Sequence, residues 1–154
     1  MKHDINEVIR EIKHLPPQVR RRAEKELGIA KLQNEHKVFV YGTLLTGECN
    51  AYRAGDARRT PAWTRGKIFD TGYGFPAFVK ESEAKVVGEL LTVDDDGFAS
   101  MDRLEGYPRL YRREKIMVFT EQGTRSQAWV YIMNRLPECA KLIEGGDWRN
   151  RNRR

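Results

Sequence analysis

Val38-Phe39-Val40-Tyr41-Gly42-Thr43-Leu44 reads as a buried β-strand cut short by a glycine. β-branched and aromatic residues favour a pleated, half-buried chain. A glycine at the end of such a run removes a Cβ, so backbone N–H groups become approachable. A second stretch answers it downstream. Met101-Asp102-Arg103-Leu104-Glu105-Gly106-Tyr107-Pro108 reads as the end of a short helix over residues 98–105, stopped by Gly106. Around these two stretches the pattern is one of short strands at close spacing. It predicts strands over residues 37–41, 62–70, 75–80 and 85–93, and a hairpin over 112–120 and 125–133 turning at Glu121-Gln122-Gly123-Thr124. Residues 42–54 read as a loop leading into a short helical turn. Thr71-Gly72-Tyr73-Gly74 is a turn cluster, Asp94-Asp95-Asp96-Gly97 a solvated turn, and residues 137–144 a final helix. The regular strand–helix alternation of a doubly wound sheet is missing, so the fold class is α+β with a mostly antiparallel sheet or small barrel.

Residues 1–36 differ in texture and read as a helical N-terminal extension. Ile5, Val8, Ile9, Ile12 and Leu15 form one apolar stripe behind a candidate N-cap, Asp4. Pro16-Pro17 ends that helix, and Pro17 can open a second one with Val19, Ala23, Leu27 and Ala30 on its apolar side. Residues 37–148 form the main domain, and residues 149–154 an arginine-rich basic tail.

Composition narrows the function classes. The chain has 154 residues, 40% of them hydrophobic, which suits one domain with a real core and excludes a disordered class. No apolar run approaches the roughly 18 residues that a spanning helix needs, and the start lacks a signal-peptide apolar region. The expectation is a soluble, cytoplasmic protein without a membrane partner. Cys49 and Cys139 form no CxxC unit and read as ordinary semi-buried thiols. Lys and Arg number 28 against 22 Asp and Glu, a net charge of +6. The excess sits partly in Arg20-Arg21-Arg22 and the last residues, where charge is usually solvated, so nucleic acid is not the expected partner.

The side-chain chemistry points away from several mechanisms. His3, His14 and His36 are not spaced as zinc ligands, and the Asp94–Asp96 run lacks the alternation of a calcium loop, so no metal is expected. Tyr41-Gly42-Thr43-Leu44-Leu45-Thr46-Gly47 lacks the Gly-Lys-Ser/Thr ending of a nucleotide loop. Ser82, Ser100 and Ser126 lack a nucleophile elbow. Two features remain. Consecutive N–H groups after Gly42 can cradle a carboxylate or an oxyanion, and Glu105 lies at a helix C-terminus beside Leu104 and Tyr107, where dipole and desolvation favour a raised pKa. The local pattern leaves the alternatives open: a tight turn without a ligand, and an exposed acid paired with Arg109, Arg112 or Arg113.

The motifs, taken in order, resemble the gamma-glutamylcyclotransferase-like family, in particular its gamma-glutamylamine cyclotransferase branch. The resemblance rests on Val38 to Leu44 with Gly47 and Asn50, and on Gly72-Tyr73-Gly74-Phe75-Pro76-Ala77. It continues through Val87-Gly88-Glu89-Leu90-Leu91, the Met101–Tyr107 segment with Tyr111 and Arg113, Ala128-Trp129-Val130-Tyr131 and Gly146-Asp147-Trp148. It implies a small mixed β-barrel with flanking helices. It implies an enzyme, independent of metal and cofactor, that cyclises a small γ-glutamyl amide to 5-oxoproline and releases the amine. Glu105 would be the catalytic proton shuttle, and Tyr41, Gly42, Thr43 and Leu44 would bind substrate, with Tyr111 lining the pocket and Asp102 structural, bonding the loop backbone. Two rivals are a non-catalytic binding module that keeps the fold, and a hydrolase pairing Glu105 with another acid such as Glu89.

Overall fold

The computed structural model describes residues 10–12, 14–27 and 34–152. In chain order the strands are β1 His36–Val40, β2 Arg58–Arg65, β3 Lys67–Asp70, β4 Pro76–Val79, β5 Lys85–Val93, β6 Tyr111–Thr120, β7 Arg125–Met133 and β8 Lys141–Leu142. Helix α1 spans Pro17–Leu27 and α2 spans Asp95–Leu104. Among these residues no helix is long and apolar enough to cross a membrane.

Val38, Phe39 and Val40 are all buried, the unbroken apolar run of a strand covered on both faces. β1 pairs antiparallel with β5, from His36 opposite Val93 to Val40 opposite Glu89. Gly88 allows that approach, because a Cβ there would lie 2.1 Å from the Val40 carbonyl oxygen. On its other edge β1 meets β7 in parallel, with Val38 opposite Trp129. The strand order β1-β5-β2-β6-β7 therefore closes into a mixed barrel, which leaves those strands no free edge. β4, β3 and β8 form a separate three-stranded sheet. The parallel pairing matters for function: β1 and β7 run the same way, so the residues that follow β1 and the end of β7 share one rim.

Several sequence expectations change. The single strand over 62–70 is two strands, β2 and β3, divided at Gly66. A Cβ on Gly66 would lie 2.4 Å from the Phe78 ring, and its N–H donates to the Ala84 carbonyl in the β2–β5 register, after which the chain passes into the β3–β4 sheet. The aspartate run is not a free turn. The Asp94 side chain accepts from the Gly97 N–H at 2.7 Å and caps α2, so the helix starts at Asp95. Acids in a first helical turn also suit the dipole. The helix expected over 137–144 is replaced by β8, because Leu142 pairs with Phe69 and the Ile143 N–H donates to the Ile68 carbonyl. Cys49 and Cys139 are exposed rather than semi-buried.

Pro17 does open α1, and of the expected apolar side Ala23 is half-buried while Val19 is not packed. Val19 is 50% exposed, whereas Arg20 is buried. Arg20 and Arg21 reach Asp96 at 3.5 and 2.7 Å, so charge ties α1 to the start of α2. Ile12 is buried. Ile5, Val8, Ile9 and Ala30, named as apolar positions, lie outside the described residues. At the other end Trp148 is buried and opens a short 3-10 turn, Trp148–Asn150. The Arg151 guanidinium lies 3.9 Å over its ring.

Candidate functional site

At the β1 rim, Tyr41, Gly42, Thr43, Leu44, Glu105 and Tyr111 line one cavity. The two stretches singled out in the sequence, far apart along the chain, therefore meet in space. Phe39, Val40, Phe75, Pro76 and Tyr131 complete the lining. The free space is about 30 Å3, room for a water or two. A larger ligand has to displace side chains at the half-buried margin, where Thr43, Phe75 and Glu105 lie.

The loop wall is built by close approach. Gly42 has no room for a side chain, since a Cβ would lie 2.6 Å from Pro76 Cδ. The missing Cβ thus admits β4 against the loop, a constraint the sequence did not reveal. The loop closes on itself through Leu45 N–H to the Gly42 carbonyl at 3.1 Å and Asn50 N–H to the Thr43 carbonyl at 2.9 Å. Asn50 Nδ2 donates to Thr43 Oγ1 at 3.1 Å. The N–H groups of Gly42, Thr43 and Leu44 have no acceptor among the described residues.

Glu105 is delivered by the end of α2. Gly106 takes φ +64°, its N–H donates to the Arg103 carbonyl, and the Tyr107 N–H donates to the Asp102 carbonyl at 2.9 Å. This double closure is the glycine-terminated helix stop, and it fixes the backbone on both sides of Glu105. The carboxyl has no ion pair or hydrogen-bond donor among the described residues, and burial alone pushes its pKa from 4.5 up to about 7. The arginine-paired alternative is therefore wrong for Glu105. Arg113 instead holds Asp102, with Nε 3.0 Å from Oδ1 and Nη2 3.2 Å from Oδ2. Its guanidinium is 4.3 Å from the Tyr107 ring, 4.4 Å from Phe98 and 4.8 Å from Trp129.

Asp102 does not bond the loop backbone, as the sequence reading had it. It accepts from the Tyr131 hydroxyl at 2.6 Å, and the Tyr131 carbonyl in turn accepts from the Tyr41 hydroxyl at 2.6 Å. The helix that carries Glu105 is thereby tied to the loop strand through β7. Tyr111 donates to the Pro76 carbonyl at 3.0 Å. All three phenols are held above their ordinary pKa: Tyr41 by burial with Tyr111 and Glu105 nearby, Tyr111 by burial and Glu105, and Tyr131 by burial and its bond to Asp102. They stay neutral and serve as walls. Tyr131 had been quoted only as part of a motif. Its place in the lining follows from the β1–β7 closure, which no local pattern encodes.

Glu105 is the one carboxylate among the lining residues. Glu89 is committed elsewhere, accepting from the Thr46 N–H and hydroxyl, both at 2.7 Å, and from Arg59 at 3.0 Å. Burial works against its charge, but those hydrogen bonds, with Arg59 and Arg149, leave its pKa below the ordinary value. The paired-acid arrangement of a hydrolase is not formed. Among the described residues no group of three or more His, Cys, Asp or Glu side chains is arranged to hold a metal ion.

Similarity to known proteins agrees with the fold. Residues 38–150 match the family model of gamma-glutamyl cyclotransferase, AIG2-like proteins. A Vibrio cholerae protein named "Putative gamma-glutamylcyclotransferase" is 37% identical over 120 residues, covering 74% of this chain and 96% of that one. The crystal structure of YkqA from Bacillus subtilis superposes with a TM-score of 0.61 at 26% identity, over 76% of this chain but only 40% of the longer relative. The AIG2-like protein of Mus musculus gives 0.57 at 25% identity, over 66% of this chain and 78% of its own. With nearly the whole barrel inside the matched region, the chain belongs to the gamma-glutamyl cyclotransferase, AIG2-like family.

Proposed function

We propose that the chain cyclises a small γ-glutamyl amide to 5-oxoproline and releases the amine. One observation carries this reading: a carboxyl with a pKa of about 7 and no partner among the described residues lines the same cavity as residues 42–44, whose N–H groups have no acceptor among those residues.

The chemistry needs what the cavity offers. The nucleophile is the substrate's own α-amine, so no serine or cysteine is required. Glu105 takes a proton from the ammonium. The freed nitrogen attacks the γ-carbonyl carbon, a C–N bond forms, and the carbonyl oxygen becomes an oxyanion. The N–H groups of Gly42, Thr43 and Leu44 are donors for that oxyanion, for the α-carboxylate, or for both. Collapse breaks the original amide bond as Glu105 gives its proton to the leaving nitrogen, and the second proton of the ring nitrogen passes to the freed carboxylate and on to the released amine, which leaves as its ammonium. A carboxyl of pKa near 7 can do both, being partly ionised at the start and acidic enough to give the proton back. Folding the γ-glutamyl group back on itself places amine and carbonyl near attack distance, once the side chains at the half-buried margin of the cavity have moved to admit it. No cofactor enters these steps.

The test is a panel of γ-glutamyl amides, spanning γ-glutamyl amino acids, γ-glutamyl-lysine and γ-glutamyl alkylamines, incubated with the full chain. Release of 5-oxoproline and free amine is followed by mass spectrometry. At least one amide is turned over by the protein and not by Glu105→Gln. Binding of an amide without turnover would support the rival reading, a non-catalytic binding module.

A further inference from the structure

Outside the lining of the cavity, three charged side chains from distant parts of the chain converge on the same loop. Glu89, on β5, is 7% exposed. Its Oε1 accepts from the Thr46 N–H at 2.7 Å and from Arg59 Nη1 at 3.0 Å, and its Oε2 accepts from the Thr46 hydroxyl at 2.7 Å. Arg59, on β2, also donates to the Leu44 carbonyl at 2.8 Å and the Ala51 carbonyl at 2.9 Å. Arg149, beyond the buried Trp148, donates to the Thr46 carbonyl at 2.9 Å and lies 3.6 Å from Glu89.

Pro61, on β2, stands opposite Glu89 in the ladder, so the two strands are already paired there. What the side chains occupy is the loop's own backbone: the carbonyls of Leu44, Thr46 and Ala51 and the N–H of Thr46. A buried carboxylate with every oxygen engaged is costly to break and fixes its partners in one geometry. Those partners flank the cavity-lining segment Gly42–Leu44.

We infer that Glu89, with Arg59 and Arg149, positions the Gly42–Leu44 donors, acting from outside the cavity lining without touching substrate. The catalytic consequence rests on the function proposed above; the positioning itself does not. Glu89 accepts both Thr46 hydrogens and holds Arg59. Arg59 in turn grips the carbonyl of Leu44, the last residue of the donor segment. Arg149 clamps the same turn from the far end of the chain.

Amide hydrogen exchange and steady-state kinetics on the full chain separate the two claims. In Glu89→Ala the exchange of the Leu45 and Asn50 N–H groups, which bond the Gly42 and Thr43 carbonyls, quickens by about tenfold or more, while Val118 and Val130 in the barrel keep their protection, as local opening requires. Turnover of the best amide from the panel falls by about 10- to 100-fold, mainly in kcat, because donors to a transition-state oxyanion act there. Glu89→Gln, which keeps an acceptor for Thr46, recovers part of the lost protection and rate. Arg149→Ala, a change at a partly exposed side chain, quickens exchange of the Thr46 turn by a few-fold, the low end for losing one solvent-accessible hydrogen bond, and serves if Glu89→Ala does not fold. Unchanged loop exchange in every variant, or a rise spread evenly over the barrel, overturns the inference. If the unaltered chain turns over no amide, the proposed function falls, while exchange still decides whether Glu89 positions the loop.

Discussion

The loop that follows β1 has two sides, and they are satisfied in opposite ways. Along the cavity lining, three consecutive N–H groups have no acceptor and Glu105 has no donor among the described residues. Outside that lining, Glu89, Arg59 and Arg149 occupy the backbone of Leu44, Thr46 and Ala51. The two glutamates differ accordingly, Glu105 raised to about 7 and Glu89 lowered. Buried polar groups without partners cost on the order of 1–3 kcal/mol each. They persist where surrounding structure over-determines the geometry. The saturated side is what lets the other side remain open to a ligand.

The strongest way to break this contrast is to remove the proton acceptor on the open side. Glu105→Gln should lower 5-oxoproline release by about 10³-fold, within the range for losing a general acid–base group, while the circular dichroism spectrum stays that of the unaltered protein. A pH series sharpens it further. The folded Glu105 carboxyl binds a proton more tightly than the unfolded one, so stability falls as pH rises from about 4.5 to about 7 and is constant above. The fall is up to about 3 kcal/mol, read as chemical-denaturation midpoints, and Glu105→Gln should lack it. Glu89 does the reverse, stabilising the fold once ionised, and its contribution fades only as pH drops through its lowered pKa. Over the same neutral window kcat/KM should rise with pH as Glu105 ionises.

Gly42→Ala tests the geometry between the two sides. Its Cβ would meet Pro76 Cδ at 2.6 Å, so either β4 or the loop must shift. A misplacement of that order is expected to lower kcat/KM by about 10²-fold, with a smaller effect on melting temperature. The smallest effect belongs to Gly106→Ala. A φ of +64° disfavours any Cβ, and the loosened helix stop should cost about 1 kcal/mol, measured by denaturant unfolding.

Much of the site was legible because it is local. The strand before Gly42 and the helix stop at Gly106 carry their own signals in residue type, and Glu105 lies next to the second of them. Strand β5 was read at its full extent, 85–93, because a turn bounds it and its residues favour strand. Elsewhere tertiary contacts decided. Gly66 resembles any strand glycine until Phe78 lies against it. Asp94 looks like a turn residue until the chain behind it coils and needs a cap. Residues 141–142 become a strand only because β3 offers an edge. Glu89 gave no sign of its part, since Thr46, Arg59 and Arg149 come from three separate segments.

The barrel seam has a kinetic consequence. β6 and β7 are sequence neighbours and form a hairpin, a contact made early in folding because its loop is short. The β1–β7 seam joins residues such as Val38 and Trp129, whose closure must wait for nearly the whole chain. The Tyr41–Tyr131 hydrogen bond crosses that seam at the cavity itself. A nascent or partly opened chain would thus hold most of its strands and still lack a formed pocket, so the cavity beside Glu105 is complete only when the cylinder has shut.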